Sequence, residues 1–151
     1  MRALNPYLNF NGTTEAAFNH YKSVFGGEFH MLMRYKDIPK GEPMDGCVDM
    51  QDKEIPKEEE NYIMHISLMV GDSALMGCDV PAAMGKVNFG NSVSISFSAE
   101  SREDADRVFA GLSEGGKIMM PMGDMFWGAY FGMATDKFGI DWMVSFDKNY
   151  Q

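Results

Sequence analysis

The sequence predicts an α+β fold: two tandem βαβββ modules whose curved antiparallel sheets surround a cavity. Three observations predict it. A strand–helix–Gly-Gly–strand pattern occurs twice, ending its helices at Gly26-Gly27 and Gly115-Gly116. Each occurrence is followed by two further strand-like segments. Finally, Phe126-Trp127-Gly128-Ala129-Tyr130-Phe131-Gly132 and Asp136-Lys137-Phe138-Gly139-Ile140-Asp141-Trp142 set aromatic residues among small ones, as strands that wall a cavity do. Helices on one face of each sheet complete the class.

In the first module, Ala3 to Phe10 reads as a strand. Asn11-Gly12-Thr13-Thr14-Glu15 starts a helix, with polar side chains available for its free N–H groups. Ala17, Phe18, Tyr21 and Phe25 recur at three- and four-residue spacing and give that helix one apolar face. Glu28 to Tyr35 follows as a strand. Tyr62 to Val70 and Ser73 to Asp79 are two more, joined at Gly71-Asp72.

The second module repeats this plan. From Ser92 to Ala99, Val93, Ile95 and Phe97 alternate with serines, the pattern of a half-buried strand. Ser101-Arg102-Glu103-Asp104 opens a helix as a capping box, with Ala105, Val108, Phe109 and Leu112 on its apolar face. Lys117 to Met122, Trp127 to Thr135 and Ile140 to Phe146 are the remaining strands. Asp136-Lys137-Phe138-Gly139 is a tight hairpin turn in which Gly139 supplies a conformation other residues resist. The whole chain, 1–151, reads as one domain, with module 1 at about 1–79 and module 2 at about 92–147.

Two stretches interrupt the plan. Lys36 to Glu60 carries three prolines and the acidic run Glu58-Glu59-Glu60. It reads as a long loop, mobile beside a pocket mouth. Val80 to Asn91 is a shorter one.

Composition bounds the function. The 151 residues carry a net charge of −9 and no basic stripe, so a phosphate-backbone partner is disfavoured and no nucleic acid is expected. No apolar run approaches membrane-spanning length and the N-terminus lacks a signal-peptide stretch, so the expected location is the cytoplasm, away from membranes. Two cysteines, Cys47 and Cys78, make neither a zinc cluster nor a disulfide framework. The 15 methionines read either as flexible core filler or as a soft lining for an apolar ligand. Met119, Met120, Met122, Met125 and Met133, close to the aromatics, carry the second reading.

Several segments also resemble one family, in its order: Asn5-Pro6-Tyr7-Leu8-Asn9-Phe10, Tyr21-Lys22-Ser23-Val24-Phe25-Gly26-Gly27, Met64-His65-Ile66-Ser67, Met76-Gly77-Cys78-Asp79, Phe126-Trp127-Gly128 and the closing hairpin. The chain is similar to the PhnB-like branch of the glyoxalase/bleomycin-resistance, or vicinal-oxygen-chelate, superfamily. The resemblance implies paired βαβββ modules, a concave sheet around a cavity, and a homodimer. Some members carry a demethylubiquinone methyltransferase label. No strand here leads into a glycine-rich turn and helix that would hold a methyl donor. Metal-dependent members place four ligands on inward strand faces. By register these fall at Asn5, Met76, Val93 and Met143, an amide, two thioethers and an aliphatic group. Such donors suit a divalent metal poorly, so neither metal nor other cofactor is expected.

The candidate site residues divide by role. His65 shares a strand face with Ser67 and Met69 and is the candidate proton carrier, since histidine titrates near neutral pH. Asp79 is the candidate carboxylate that orients it. The plainer alternatives are a buried, satisfied histidine and a turn residue before Pro81. Tyr7, Asn9, Ser94 and Ser96 form a polar face that is either solvated or a pocket wall. Phe126, Trp127, Tyr130 and Trp142 either stack on a planar ligand or belong to the core. His20 and His30 are weaker candidates, and His20, on a helix beside Tyr21, reads as part of a solvated face. Three functions follow: a metal-independent protein that binds an unknown small, partly apolar or aromatic molecule; a lyase or isomerase using His65 and Asp79; or an interaction module without a ligand.

Overall fold

The computed structural model describes residues 3–39 and 55–149. Cys47 and the middle of the Lys36–Glu60 segment lie outside the described residues. The chain divides into two compact units, Met1–Asn88 and Phe89–Gln151.

The first unit holds β1 (Tyr7–Phe10), α1 (Thr14–Phe25), β2 (Phe29–Arg34), β3 (Ile63–Val70) and β4 (Ser73–Asp79). Its sheet runs β1-β4-β3-β2. The second holds β5 (Ile95–Ser98), α2 (Arg102–Ser113), β6 (Lys117–Asp124), β7 (Tyr130–Thr135) and β8 (Asp141–Phe146), in the order β5-β8-β7-β6. The βαβββ plan therefore occurs twice.

Each sheet is mixed. β2-β3-β4 and β6-β7-β8 are antiparallel, while β1 pairs β4 and β5 pairs β8 in parallel. Parity explains this. The helix returns the chain so that the second strand of a unit runs in the direction of its first. Two antiparallel reversals then bring the fourth strand into that direction again. β1 is shorter than the alternation predicts, starting at Tyr7 rather than Ala3. Pro6 has no N–H for a ladder, though its carbonyl still accepts from Met76 N at 3.1 Å. In β6, Pro121 sits on an edge strand where the β6–β7 register shifts, one of the few places a sheet tolerates proline.

α2 buries the face its spacing predicts, and α1 does so except at its end, where Val24 is buried and Phe25 only partly so. α1 buries Thr14, Ala17, Phe18, Tyr21 and Val24. α2 buries Ala105, Val108, Phe109 and Leu112. The two sheets make room for them at small residues. A Cβ added to Gly77 would lie 2.8 Å from Phe18 Cε2, and one added to Gly132 would lie 3.0 Å from Phe109 Cε2.

The N-termini are capped differently. Ser101 Oγ accepts from Asp104 N at 3.0 Å, one half of the expected capping box, while Asp104 Oδ2 accepts from Glu100 N at 3.2 Å rather than from the N-cap amide. At α1 the local polar residues do not serve as expected: Thr13 makes no side-chain cap. Asp79, at the end of β4, acts instead. Its Oδ1 accepts from Gly12 N at 2.9 Å, Thr14 N at 3.0 Å and Thr14 Oγ1 at 2.7 Å. A carboxylate also complements the positive end of the helix dipole.

Candidate functional site

Period-two alternation assigns each strand residue to a sheet face. In the first unit, Gly77 meets Phe18 of α1, so Met76 and Cys78 point to the opposite, open face. Tyr7 pairs with Met76, Asn9 with Cys78 and Ser67 with Met76, which puts all of them on that face. His65 joins them: Tyr7 Oη lies 3.1 Å from His65 Nδ1, and the two rings are 5.7 Å apart. Cys78 Sγ donates to Asn9 Oδ1 at 3.4 Å. The structure thus brings Tyr7, Asn9 and His65 together.

Asp79 is not brought to His65. It lies one residue beyond Cys78 and so turns toward α1, where it is 2% exposed. Beyond its contacts with Gly12 and Thr14, its Oδ2 accepts from Ile63 N at 2.8 Å. Both carboxylate oxygens are committed to holding β3, β4 and α1 together. Tyr7 occupies the place beside His65 that the sequence reading gave to Asp79.

In the second unit, Ser96 pairs with Met143, and Met143 with Met133, on the face away from α2. Phe126 and Trp127 sit in the β6–β7 connection, closed by Met125 N donating to Ala129 O at 2.9 Å. Phe126 is 98% exposed and Trp127 54%. Their rings meet edge to face at 5.0 Å, and Trp127 meets Phe131 at 6.0 Å.

Tyr130 and Trp142 take the other side. Tyr130 shares the parity of Gly132 and reaches α2, where its hydroxyl donates to Asp106 Oδ1 at 2.6 Å and Arg102 lies 4.3 Å from its ring centre. The bond to Asp106 holds the phenol pKa above its ordinary value, with burial adding in the same direction. Arg102 is in turn paired with Asp124. Trp142 is 3% exposed, and its Nε1 donates to Asp136 Oδ2 at 2.8 Å. The polar atoms of both aromatics are therefore engaged by protein groups.

One end of the second sheet holds an open hollow of about 510 Å³. Phe89, Met119 and Met133 supply apolar surface, and Trp142, 3% exposed, lies at its edge. Ser94, Lys117, Thr135 and Asp141 supply the polar groups. Lys117 pairs with Thr135 and Thr135 with Asp141, so the three form one row across β6, β7 and β8. Thr135 Oγ1 donates to Asp141 Oδ1 at 2.6 Å. Of the expected ligand residues, Ser94 and Trp142 line this hollow, as do two of the clustered methionines. Phe89, Lys117 and Thr135 escaped the sequence reading. Alternation assigns a parity to each, but only the register puts the row together.

The residues do not fit the metal that the resemblance implies. Asn5 Oδ1 accepts from Ala74 N at 3.1 Å. Val93 is 75% exposed and precedes β5. With Met76 and Met143 they offer one amide oxygen and two thioethers, a poor set for a hard or borderline divalent ion. Among the described residues, no group of three or more His, Cys, Asp or Glu side chains is arranged to hold a metal. No helix among them is long and apolar enough to cross a membrane.

Comparison with known proteins supports the architecture. The family model described as Glyoxalase/Bleomycin resistance protein/Dioxygenase superfamily matches residues 3–144. Protein YjdN of Escherichia coli (strain K12) is 28% identical over 144 residues, spanning 94% of this chain and 93% of that protein. The crystal structure of protein PA1353 from Pseudomonas aeruginosa is 36% identical, with a TM-score of 0.78 over 97% of this chain and 98% of that one. A Bacillus cereus structure described as putative 3-demethylubiquinone-9 3-methyltransferase, PhnB protein, is 25% identical, with a TM-score of 0.72 over 96% of this chain and 99% of that one.

Proposed function

Because the chain belongs to the glyoxalase/bleomycin resistance protein/dioxygenase superfamily, we propose that it binds a small, partly apolar or aromatic molecule without the superfamily's usual metal. The observation that carries this reading is the hollow of the second unit. Its volume of about 510 Å³ lies in the range of small-molecule sites, which combine apolar walls with a few placed polar groups. The thioethers of Met119 and Met133 give an adaptable surface. The donors at Asn5, Met76, Val93 and Met143 argue against metal chemistry. We place the protein in the cytoplasm as a homodimer, the commonest homo-oligomer. Sedimentation showing only monomer at micromolar concentration would count against that assembly.

Metal analysis and a thermal-shift screen test the function together. The expected result is no stoichiometric zinc, nickel, iron or manganese after gentle purification, with stabilisation by aromatic or apolar compounds. About one tightly bound metal per chain, lost in His65→Ala, would overturn the reading and favour an enzyme.

A second reading, a glyoxalase-like lyase or isomerase, draws on the Tyr7–His65 contact at 3.1 Å. A phenol beside an imidazole on an open sheet face is suited to moving a proton near neutral pH. Asp79 enters that reading only as the residue that holds β4 against α1. Turnover abolished in both His65→Ala and Tyr7→Phe would support it.

A further inference from the structure

We infer that the hollow of the second unit takes a zwitterion with an aromatic body, its carboxylate on Lys117 and its ammonium on Asp141. The inference rests on the reading of this hollow as a ligand site and adds the chemical class of the ligand. Lys117 and Asp141 flank Thr135 in one cross-strand row and line the same hollow. Two strand spacings separate their backbones, on the order of 10 Å. Across that gap the two charges do not pair with each other. Among the described residues the ion pairs are Lys22–Glu28, Arg34–Glu15, Arg102–Asp124 and Arg107–Asp104, and none includes Lys117. Thr135 donates to one oxygen of Asp141, which fixes the carboxylate and leaves its second oxygen for a donor from the hollow. Lys117 carries a compact ammonium on a flexible stem and suits a carboxylate at the rim.

The apolar part of the ligand follows from the other walls. Met119, Met133 and Phe89 carry no hydrogen-bonding group of consequence. Trp142, turned toward α2 and 3% exposed, adds little to these walls. A zwitterion also suits the field of the whole chain. With a net charge of −9, a free anion is repelled at long range, whereas a molecule with both charges and no net charge is not.

Four indoles that carry both charges, one or neither test the inference: tryptophan, indole-3-acetate, tryptamine and indole, titrated against protein with 13C-labelled methionine methyls. The expected result is that tryptophan shifts the Met119 and Met133 signals at concentrations about tenfold below indole. Lys117→Gln should remove its advantage over tryptamine, and Asp141→Asn its advantage over indole-3-acetate. Lys117 is exposed, so its variant decides the matter even should Asp141→Asn fold poorly. Tryptophan binding no tighter than indole, or an advantage that survives Lys117→Gln, overturns the inference while leaving a hydrophobe-binding hollow. Failure of all four to move either methyl overturns the hollow as a ligand site, and the inference with it.

Discussion

Asp136 accepts the indole N–H of Trp142 at 2.8 Å on one oxygen, while its other oxygen gathers the amides of Phe138 and Ile140 at 2.8 and 3.0 Å. A single carboxylate thus shapes the β7–β8 turn and anchors the largest side chain of β8. The turn is closed by Gly139, at φ 95°, whose N–H donates to Asp136 O at 3.1 Å. Asp136 is 3% exposed, so its partners would be stranded without it.

Asp136→Ala is therefore expected to lower stability by about 2–4 kcal/mol, since it leaves three donors unsatisfied in or near the core. Trp142→Phe removes one of those bonds and part of the ring, and is expected to cost less. The two changes share a contact, so the double variant should fall short of the sum. Urea unfolding of all four proteins measures this. An additive double variant would show that the hydrogen bond contributes nothing.

Gly77→Ala should cost about 1–3 kcal/mol. Its new Cβ would lie 2.8 Å from both Leu8 O and Phe18 Cε2, wedging apart β1, β4 and α1. Gly90→Ala is the control, because nothing lies within 4 Å of a Cβ there and a change within about 0.5 kcal/mol is expected. Equal melting temperatures for the two variants would show that the close approach of α1 is not tight.

The Glu15–Arg34 pair gives acid-dependent stability. Arg34 Nη2 and Nη1 meet the two Glu15 oxygens at 2.7 and 2.9 Å. This bidentate contact holds the Glu15 carboxyl below its ordinary 4.5. A lowered folded pKa means that the contribution is present above the unfolded value and is lost as pH falls through the folded one. The side chains are 22% and 49% exposed, so solvent screening leaves about 0.5 kcal/mol. The gap in stability between wild type and Glu15→Gln should hold at neutral pH and close below 4.5. Glu15→Gln is preferable to an Arg34 variant, since Arg34 also donates to Asn61 O at 2.9 Å. A gap that persists unchanged in strong acid would refute the assignment.

Tyr130 should titrate above the usual 10.0 of a phenol, because its proton is held by Asp106. The difference in alkaline absorbance between wild type and Tyr130→Phe isolates it from the other tyrosines. Asp106→Asn removes the carboxylate and should bring the midpoint down. For an acid with a raised folded pKa, the stabilisation is present below the unfolded value and fades as pH rises through the folded one. No change in midpoint on Asp106→Asn would separate the two groups.

What was legible in the sequence was local. Helix faces repeat every three or four residues, and the Ser101 cap spans a few positions, so both declare themselves in a short window. The Asp136–Gly139 turn does so too. Cross-strand register is not local. Nothing near Asp79 in the sequence shows that its carboxylate reaches Gly12 and Thr14, and nothing near His65 shows Tyr7. The sides taken by Tyr130 and Trp142 were recoverable in principle. Gly132 and Ala134 are small because α2 lies over them, and residues that share their parity, or that pair with them as Trp142 does with Ala134, face that helix.

The capping of α1 by Asp79 also sets an order in time. Thr14 and Asp79 are 65 residues apart, so at ordinary rates of synthesis roughly 3–13 s pass between them on the ribosome. Through that interval the first turn of α1 relies on water for its exposed amides, and the helix is secured only when β4 arrives. In α2 the cap, Ser101, is made three residues before the amide it accepts. Two halves with one architecture thus mature on different clocks: the nascent first helix waits for the last strand of its unit, while the second emerges with its lock already in place.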